Sequence, residues 1–307
     1  MLPKSFRFSL SWRVNLNRNE LVVMWSLLFI PLGAIVGALS GFFGIGGGVI
    51  IVPVLLFSGY SAAEAVATSL LFVVGTSLSG AKKHTSLGNV SWSTGITVGL
   101  TGAVTAQLSS RLVLSISGTY DWLLNLFYLA ILSYFAVTLL KKTSKPQKPK
   151  KSSLVAALVI GMMAGFLSAL LGIGGGFIIV PLLVSWLGFS THRGVGTSLA
   201  AVLFISLGGL VGYLPSLSLD YMTPLALVVG AFIGAPLGAS LTNRYHDKEI
   251  STRLAWLYVA VIVSIALDLG AALYAPLAYV SLAVLLVFLI GIAFDFKRHF
   301  VNQNHFS

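Results

Sequence analysis

Two glycine runs, Gly46–Gly48 and Gly174–Gly176, have the most to offer chemically. Each lies in a decapeptide, GIGGGVIIVP at 44–53 and GIGGGFIIVP at 172–181, nearly identical copies 128 positions apart. A glycine inside a helix costs about 1 kcal/mol relative to alanine. Helix packing asks for small residues on one face, whereas three consecutive residues sweep about 300° around the axis. The run therefore predicts a break in a helix, reinforced by Pro53 and Pro181, which lack a backbone donor. Unwound backbone at membrane depth must be satisfied by protein or by a water-lined cavity, so the break in turn predicts a cavity. A short helix is expected to restart near Gly47–Val49 and Gly175–Phe177. Its first turn carries free N–H groups and the positive end of the helix dipole, which suits an anion.

Other polar residues recur beside the runs. Thr68 and Ser69 match Thr197 and Ser198 at an offset of 129. Their hydroxyls are candidate donors to an oxyanion; the competing reading is a helix cap or a bond to the preceding turn. His192 and Arg193 stand where the first copy has Ala63 and Glu64. A buried Arg binds an anion and a His carries a coupled proton, whereas in an outward loop both are simply solvated. Asp268 lies within an apolar run and is a candidate proton relay, unless its place near the end of the run takes it to the interface. A phosphate-cradling nucleotide loop is the wrong context for GIGGG: no strand precedes it, and no Lys-Ser/Thr or distant acid completes it. No cysteine, no H-x-x-x-H and no paired intramembrane carboxylates suggest an enzyme, a metal or a cofactor.

The elements that must hold these residues follow from composition. The chain is 57% hydrophobic and 9% charged, against about 25% charged for a soluble domain. Its main solvent is lipid. The net charge of +11 sits at the ends of apolar runs rather than on a face that would bind nucleic acid. A basic tail (1–20) precedes runs at Leu21–Phe43, Val49–Phe57, Ala62 to about Gly80, Val90–Ser109 and Trp122–Leu140. The segment KKTSKPQKPKKSS, 141–153, is a linker. The pattern then restarts, with runs at Leu154–Leu171, Phe177–Leu187, Gly194–Leu214, Tyr221–Leu241 and Leu254–Leu273, and a further run at Pro276–Phe294. Gly33, Gly37 and Ser40 match Gly161, Gly165 and Ser168; Ser77 and Gly80 match Ser206 and Gly209. The expected architecture is an all-α integral membrane protein of about eight to nine transmembrane helices. It derives from a duplicated four-helix unit, each repeat with a glycine-broken helix: 21–140 and 154–273, then an extra helix and tail at 274–307. The stepped glycines Gly33, Gly37, Gly41 and Gly230, Gly234, Gly238 are expected at helix contacts.

Basic clusters place the tail, the Lys82–His84 loop and the linker together in the cytoplasm, if each broken helix crosses once. Both halves then start from the same side, as a parallel repeat, and Lys297 and Arg298 fall outside.

The duplicated pattern G-x-G-G-G-x-x-x-x-P, followed by Ala67-Thr68-Ser69-Leu70 or Gly196-Thr197-Ser198-Leu199, resembles the sulfite exporter TauE/SafE family, also called the 4-toluene sulfonate uptake permease family. The resemblance covers about residues 30 to 290. It implies a multi-pass protein of the inner (cell) membrane that moves sulfur-containing anions such as sulfite, sulfonates or sulfoacetate. The expected partners are such a small anion and membrane lipid, with the substrate between the two breaks. An anion channel, or a membrane subunit of a larger assembly, shares the same helix-end chemistry.

Overall fold

The computed structural model describes residues 18–58, 60–116, 121–141, 153–213, 222–271, 274 and 276–304. The tail before residue 18 and most of the linker, 142–152, lie outside them. The described chain is all helix: α1 Arg18–Phe43, α2 Gly48–Phe57, α3 Ala62–Ser86, α4 Trp92–Ile116, α5 Asp121–Lys141, α6 Leu154–Leu171, α7 Gly176–Trp186, α8 Thr191–Tyr213, α9 Met222–Thr242, α10 Asp247–Ala271 and α11 Leu277–Asn304. Among the described residues, six are long and apolar enough to cross a membrane: α3, α6, α8, α9, α10 and α11. Their outward positions carry large apolar side chains such as Leu237, Trp256 and Val287, 55–69% exposed, as a lipid-facing surface requires.

Local chemistry starts and stops the helices where the sequence changes character. Ser61 and Glu64 form a reciprocal capping box at the head of α3. The Ser153 hydroxyl accepts from the Ala156 amide at the head of α6. The two short helices α2 and α7 have no side-chain cap. Each begins after a glycine in the left-handed region, Gly47 (φ 83°) and Gly175 (φ 76°). A side chain there is strained, which is why the run is glycine.

Helix directions follow from the contacts. Positions at which a side chain on Gly230, Gly234 or Gly238 would strike the backbone of Ile30, Ala34 or Ala38 fix α9 parallel to α1. The stepped glycines thus lie at this contact, where backbones meet. By the same kind of pairing α6 runs parallel to α4, with the Thr105 hydroxyl donating to Met162 O and the Ser109 hydroxyl to Phe166 O. Likewise α3 is parallel to α9, Gly75 facing Val228 and Gly80 facing Ala235. α4 is parallel to α8, Gly95 facing Ala200 and Gly102 facing Ile205. In contrast α3 and α8 are antiparallel: Gly80 faces Leu199 while Gly209 faces Leu70.

These directions overturn the parallel repeat. The corresponding pairs α1 and α6, α3 and α8, α4 and α9 all run opposite ways, so the two halves are inverted relative to each other. The reason lies at the breaks. α1 and α3 point the same way, yet only the short α2 joins them, so the chain reverses at Gly44–Gly47 and α2 returns alongside α3. The first helix and its short partner form a hairpin that returns to the side it came from, not a single crossing. α1 therefore begins at the end of the bundle opposite the last turn of α3, and the start of α1 and the Lys82–His84 turn cannot share a face. The first turn of α6, just past the linker, lies with Lys82 rather than with the start of α1. So do the Arg244 turn and the last turns of α11, which dock there through Arg253 Nε donating to Asp295 Oδ2 at 2.8 Å. Lys297 and Arg298 thus join the basic end instead of falling outside it.

Candidate functional site

The two reversals cross. Gly46 and Gly174 press on the same two side chains, Val73 at mid-height of α3 and Val202 at mid-height of α8; a Cβ on Gly46 would meet their Cγ1 atoms at 2.9 and 3.2 Å. A Cβ on Gly48 would lie 2.7 Å from Ile173 Cα, and one on Gly176 would lie 2.7 Å from Ile45 Cα. Each short helix thus starts against the other repeat's break. The expected cavity is, in this conformation, filled at the crossing by the opposite backbone: residues 44–48 and 172–176 are all buried.

Serine hydroxyls staple the crossing symmetrically. Ser69 Oγ donates to Gly172 O at 2.7 Å, and Ser198 Oγ donates to Gly44 O at 2.8 Å. Both are fully buried. Thr76 Oγ1 donates to Gly46 O at 2.9 Å. The breaks' first amides stay helical, Gly44 N on Ser40 O and Gly172 N on Ser168 O, both at 2.8 Å. Past them, the amides of Gly47, Gly48 and Val49, and of Gly175 and Gly176, have no partner among the described residues. These are the free donors that a helix start offers to an anion.

The remaining sequence candidates divide. Ser69 and Ser198 hold carbonyls of the opposite repeat. Thr197 Oγ1 accepts from Ser91 N at 2.9 Å and so ties α8 to the head of α4; Thr68 is buried one position before Ser69. Arg193 is exposed, its guanidinium 4.8 Å from the Phe189 ring centroid. Asp268 is exposed in the last turn of α10, with no hydrogen bond or ion pair to a described residue.

His192 is half-buried in the first turn of α8, where Nδ1 stands 2.6 Å from Asp247 Oδ1 and Nε2 stands 3.0 Å from Thr242 O. A carbonyl only accepts, so Nε2 carries a proton, and the proton between Nδ1 and the carboxylate belongs to the pair. From here a polar chain leads inward. The Thr242 hydroxyl donates to Phe42 O, and His84 Nε2 donates to Gly41 O at 2.9 Å, next to the first break. His84 is fully buried; sequence reasoning treated it as part of a basic turn. Its counterpart, Tyr213, donates to Ala169 O, the counterpart of Gly41, at 2.8 Å. The two halves thus tie the same place with different chemistry, a titratable ring at the basic end and a phenol at the other. The signal for Tyr213 and Asp247 was absent from the repeat, because neither is shared between copies. Tyr258 was also missed; its hydroxyl donates to Phe177 O at 2.6 Å and pins the start of α7 to α10.

The described residues contain no cluster of His, Cys, Asp or Glu able to hold a metal ion. Comparison with known proteins agrees with the geometry. The model of the sulfite exporter TauE/SafE family matches residues 29–269. The probable membrane transporter protein MJ0441 of Methanocaldococcus jannaschii is 30% identical over 252 residues, covering 75% of this chain and 92% of that protein. The probable membrane transporter protein YdhB of Bacillus subtilis is 32% identical over 221 residues, 71% of this chain and 90% of that protein. A probable membrane transporter protein of Haemophilus influenzae is 27% identical over 263 residues, 78% and 97% respectively. No solved structure matches the chain.

Proposed function

The chain belongs to the sulfite exporter TauE/SafE family of membrane transporters, and on that premise we propose that it is a secondary transporter moving small sulfur-containing anions, of the sulfite or sulfonate kind, across the inner membrane. The observation that carries this reading is the crossing of two glycine reversals at mid-height of the bundle, each presenting unpaired amides at a helix start. Neither α2 nor α7 contains an acidic residue that would repel an anion there. An inverted pair of repeats with substrate between them also suits alternating access, since each half can serve as the gate for one side. The closed crossing favours this over a channel, which needs a continuous path. In the same reading the unit is duplicated, with eight to nine spans. The basic end, bearing Lys82, Lys83, Arg244, Lys248 and Arg298, faces the cytoplasm.

The experiment is flux in proteoliposomes with a panel of sulfite, sulfonates, sulfate and carboxylates, each with and without a proton gradient. Replacing Gly47 and Gly175 together by Leu places side chains at φ 83° and 76°, the first against Phe72 Cε1 at 2.8 Å. Anion flux is expected to vanish while the protein still inserts. Full flux in that variant removes the glycines from the mechanism, and a wild-type protein that moves none of the panel overturns the transport reading.

A further inference from the structure

Four buried hydroxyls around the crossing have no hydrogen-bond partner among the described residues: Ser40, Ser77, Ser168 and Ser206. All four are fully buried. They are two repeat-related pairs, Ser40 with Ser168 and Ser77 with Ser206, on α1, α6, α3 and α8. Two other hydroxyls show the bond that a helix offers to its own serines: Ser79, in α3, donates to Gly75 O at 2.8 Å, and Ser240, in α9, to Pro236 O at 2.8 Å. A buried hydroxyl that goes without a partner carries a desolvation penalty, and finding it four times in symmetric positions calls for a reason.

Their placement supplies one. Ser40 Cβ lies 3.3 Å from the position a Gly47 Cβ would take, beside the unpaired amides at the start of α2. Ser206 Oγ lies 3.5 Å from the position a Cβ would take on Gly174, the counterpart of Gly46. Ser77 follows Thr76, whose hydroxyl holds Gly46 O, and Ser168 carries the carbonyl that holds Gly172 N. The middle turns of α1, α3, α6 and α8, and all of α2 and α7, carry no Lys or Arg.

We propose that Ser40, Ser77, Ser168 and Ser206 are the side-chain donors of the anion site at the crossing, and that this site takes a singly charged oxyanion rather than a dianion. The proposal rests on the transport reading above. Hydroxyls and amides solvate an anion by hydrogen bonds alone. With no cationic side chain to balance a second charge, a dianion costs far more to desolvate than a monoanion while meeting the same neutral donors. A sulfonate head, which keeps one charge and three acceptor oxygens, fits; sulfate does not.

The test is thermal unfolding of the purified protein in detergent with methanesulfonate or sulfate, since a ligand of the folded state raises its melting temperature in proportion to its affinity. Methanesulfonate is expected to stabilise the wild-type protein saturably and sulfate not to. The variants Ser40→Ala/Ser168→Ala and Ser77→Ala/Ser206→Ala are expected to melt, without ligand, at or above the wild-type temperature, because no bond is lost. Their affinity for methanesulfonate should fall about tenfold or more, as for a lost hydrogen bond to a charged group. Affinity in both variants within about twofold of wild type overturns the proposal. So does a fall in their ligand-free melting temperature, which makes the hydroxyls structural, and so does stabilisation by sulfate equal to that by methanesulfonate. A wild-type protein that transports only the dianion sulfate overturns this proposal and leaves anion transport standing; one that moves no anion of the panel fails both.

Discussion

At the scale of single residues, serines at the crossing do two opposite things. Ser69 and Ser198 are bonded, each to a carbonyl of the other repeat. Removing such a hydroxyl leaves a buried carbonyl without its partner, at a cost of about 1–3 kcal/mol. Ser69→Ala and Ser198→Ala should therefore each lower the melting temperature of the purified protein, in contrast to the unpartnered serines. Sequence similarity alone drew attention to Thr68-Ser69 and Thr197-Ser198 as possible ligands of a substrate. It gave no means of seeing that the Ser hydroxyls are engaged across the repeat, because a serine that bonds and one that does not are the same letter. His84 shows the converse. Its position after two lysines made it look like part of a surface turn, yet its ring bonds to Gly41 O and is completely buried.

Among elements, the decisive contact is the pairing of α1 with α9 and of α4 with α6. These helices meet backbone to backbone because small residues line the seams, glycine with alanine between α1 and α9 and glycine with threonine between α4 and α6, so dispersion between close backbones replaces the hydrophobic drive that lipid cannot supply. Gly234→Leu would thrust a side chain into the Ala34 carbonyl and should abolish recovery of folded protein. Gly291→Leu, on α11 with nothing within 4 Å of its Cβ position, should leave yield and melting behaviour unchanged. Comparing monodisperse yield after detergent extraction checks both. The stepping of glycines by four made this seam legible in the sequence. Its partner was not, because a small-residue stripe says that something comes close without saying which helix does or from which direction.

For the whole molecule, the inverted arrangement makes a topological prediction that suits a chain with no cysteine of its own. Single cysteines at Ser86 and His246 should both react with a membrane-impermeant thiol reagent from the cytoplasmic side, and one at Arg111, at the far end of α4, from the opposite side. Labelling of Ser86→Cys and Arg111→Cys from the same side would contradict the directions of α3 and α4. What the amino-acid sequence determined by itself was the solvent, the helical runs, the duplication of the glycine decapeptide and the two positions where a helix must stop. All of these depend on local composition: apolar length, glycine conformation and the missing donor of proline. Only the tertiary structure decided whether the short helix after each stop, ten residues in α2 and eleven in α7, continues across the membrane or turns back. An apolar segment of that length reads the same in either direction, and the difference is set by what the far side of the break packs against. Here that is the other break, so the two reversals hold each other in place. That mutual packing inverts the repeats, gathers the basic residues of the described helix ends chiefly at one end, and sets two uncapped helix starts against each other, with the unpartnered Ser40 and Ser206 beside them.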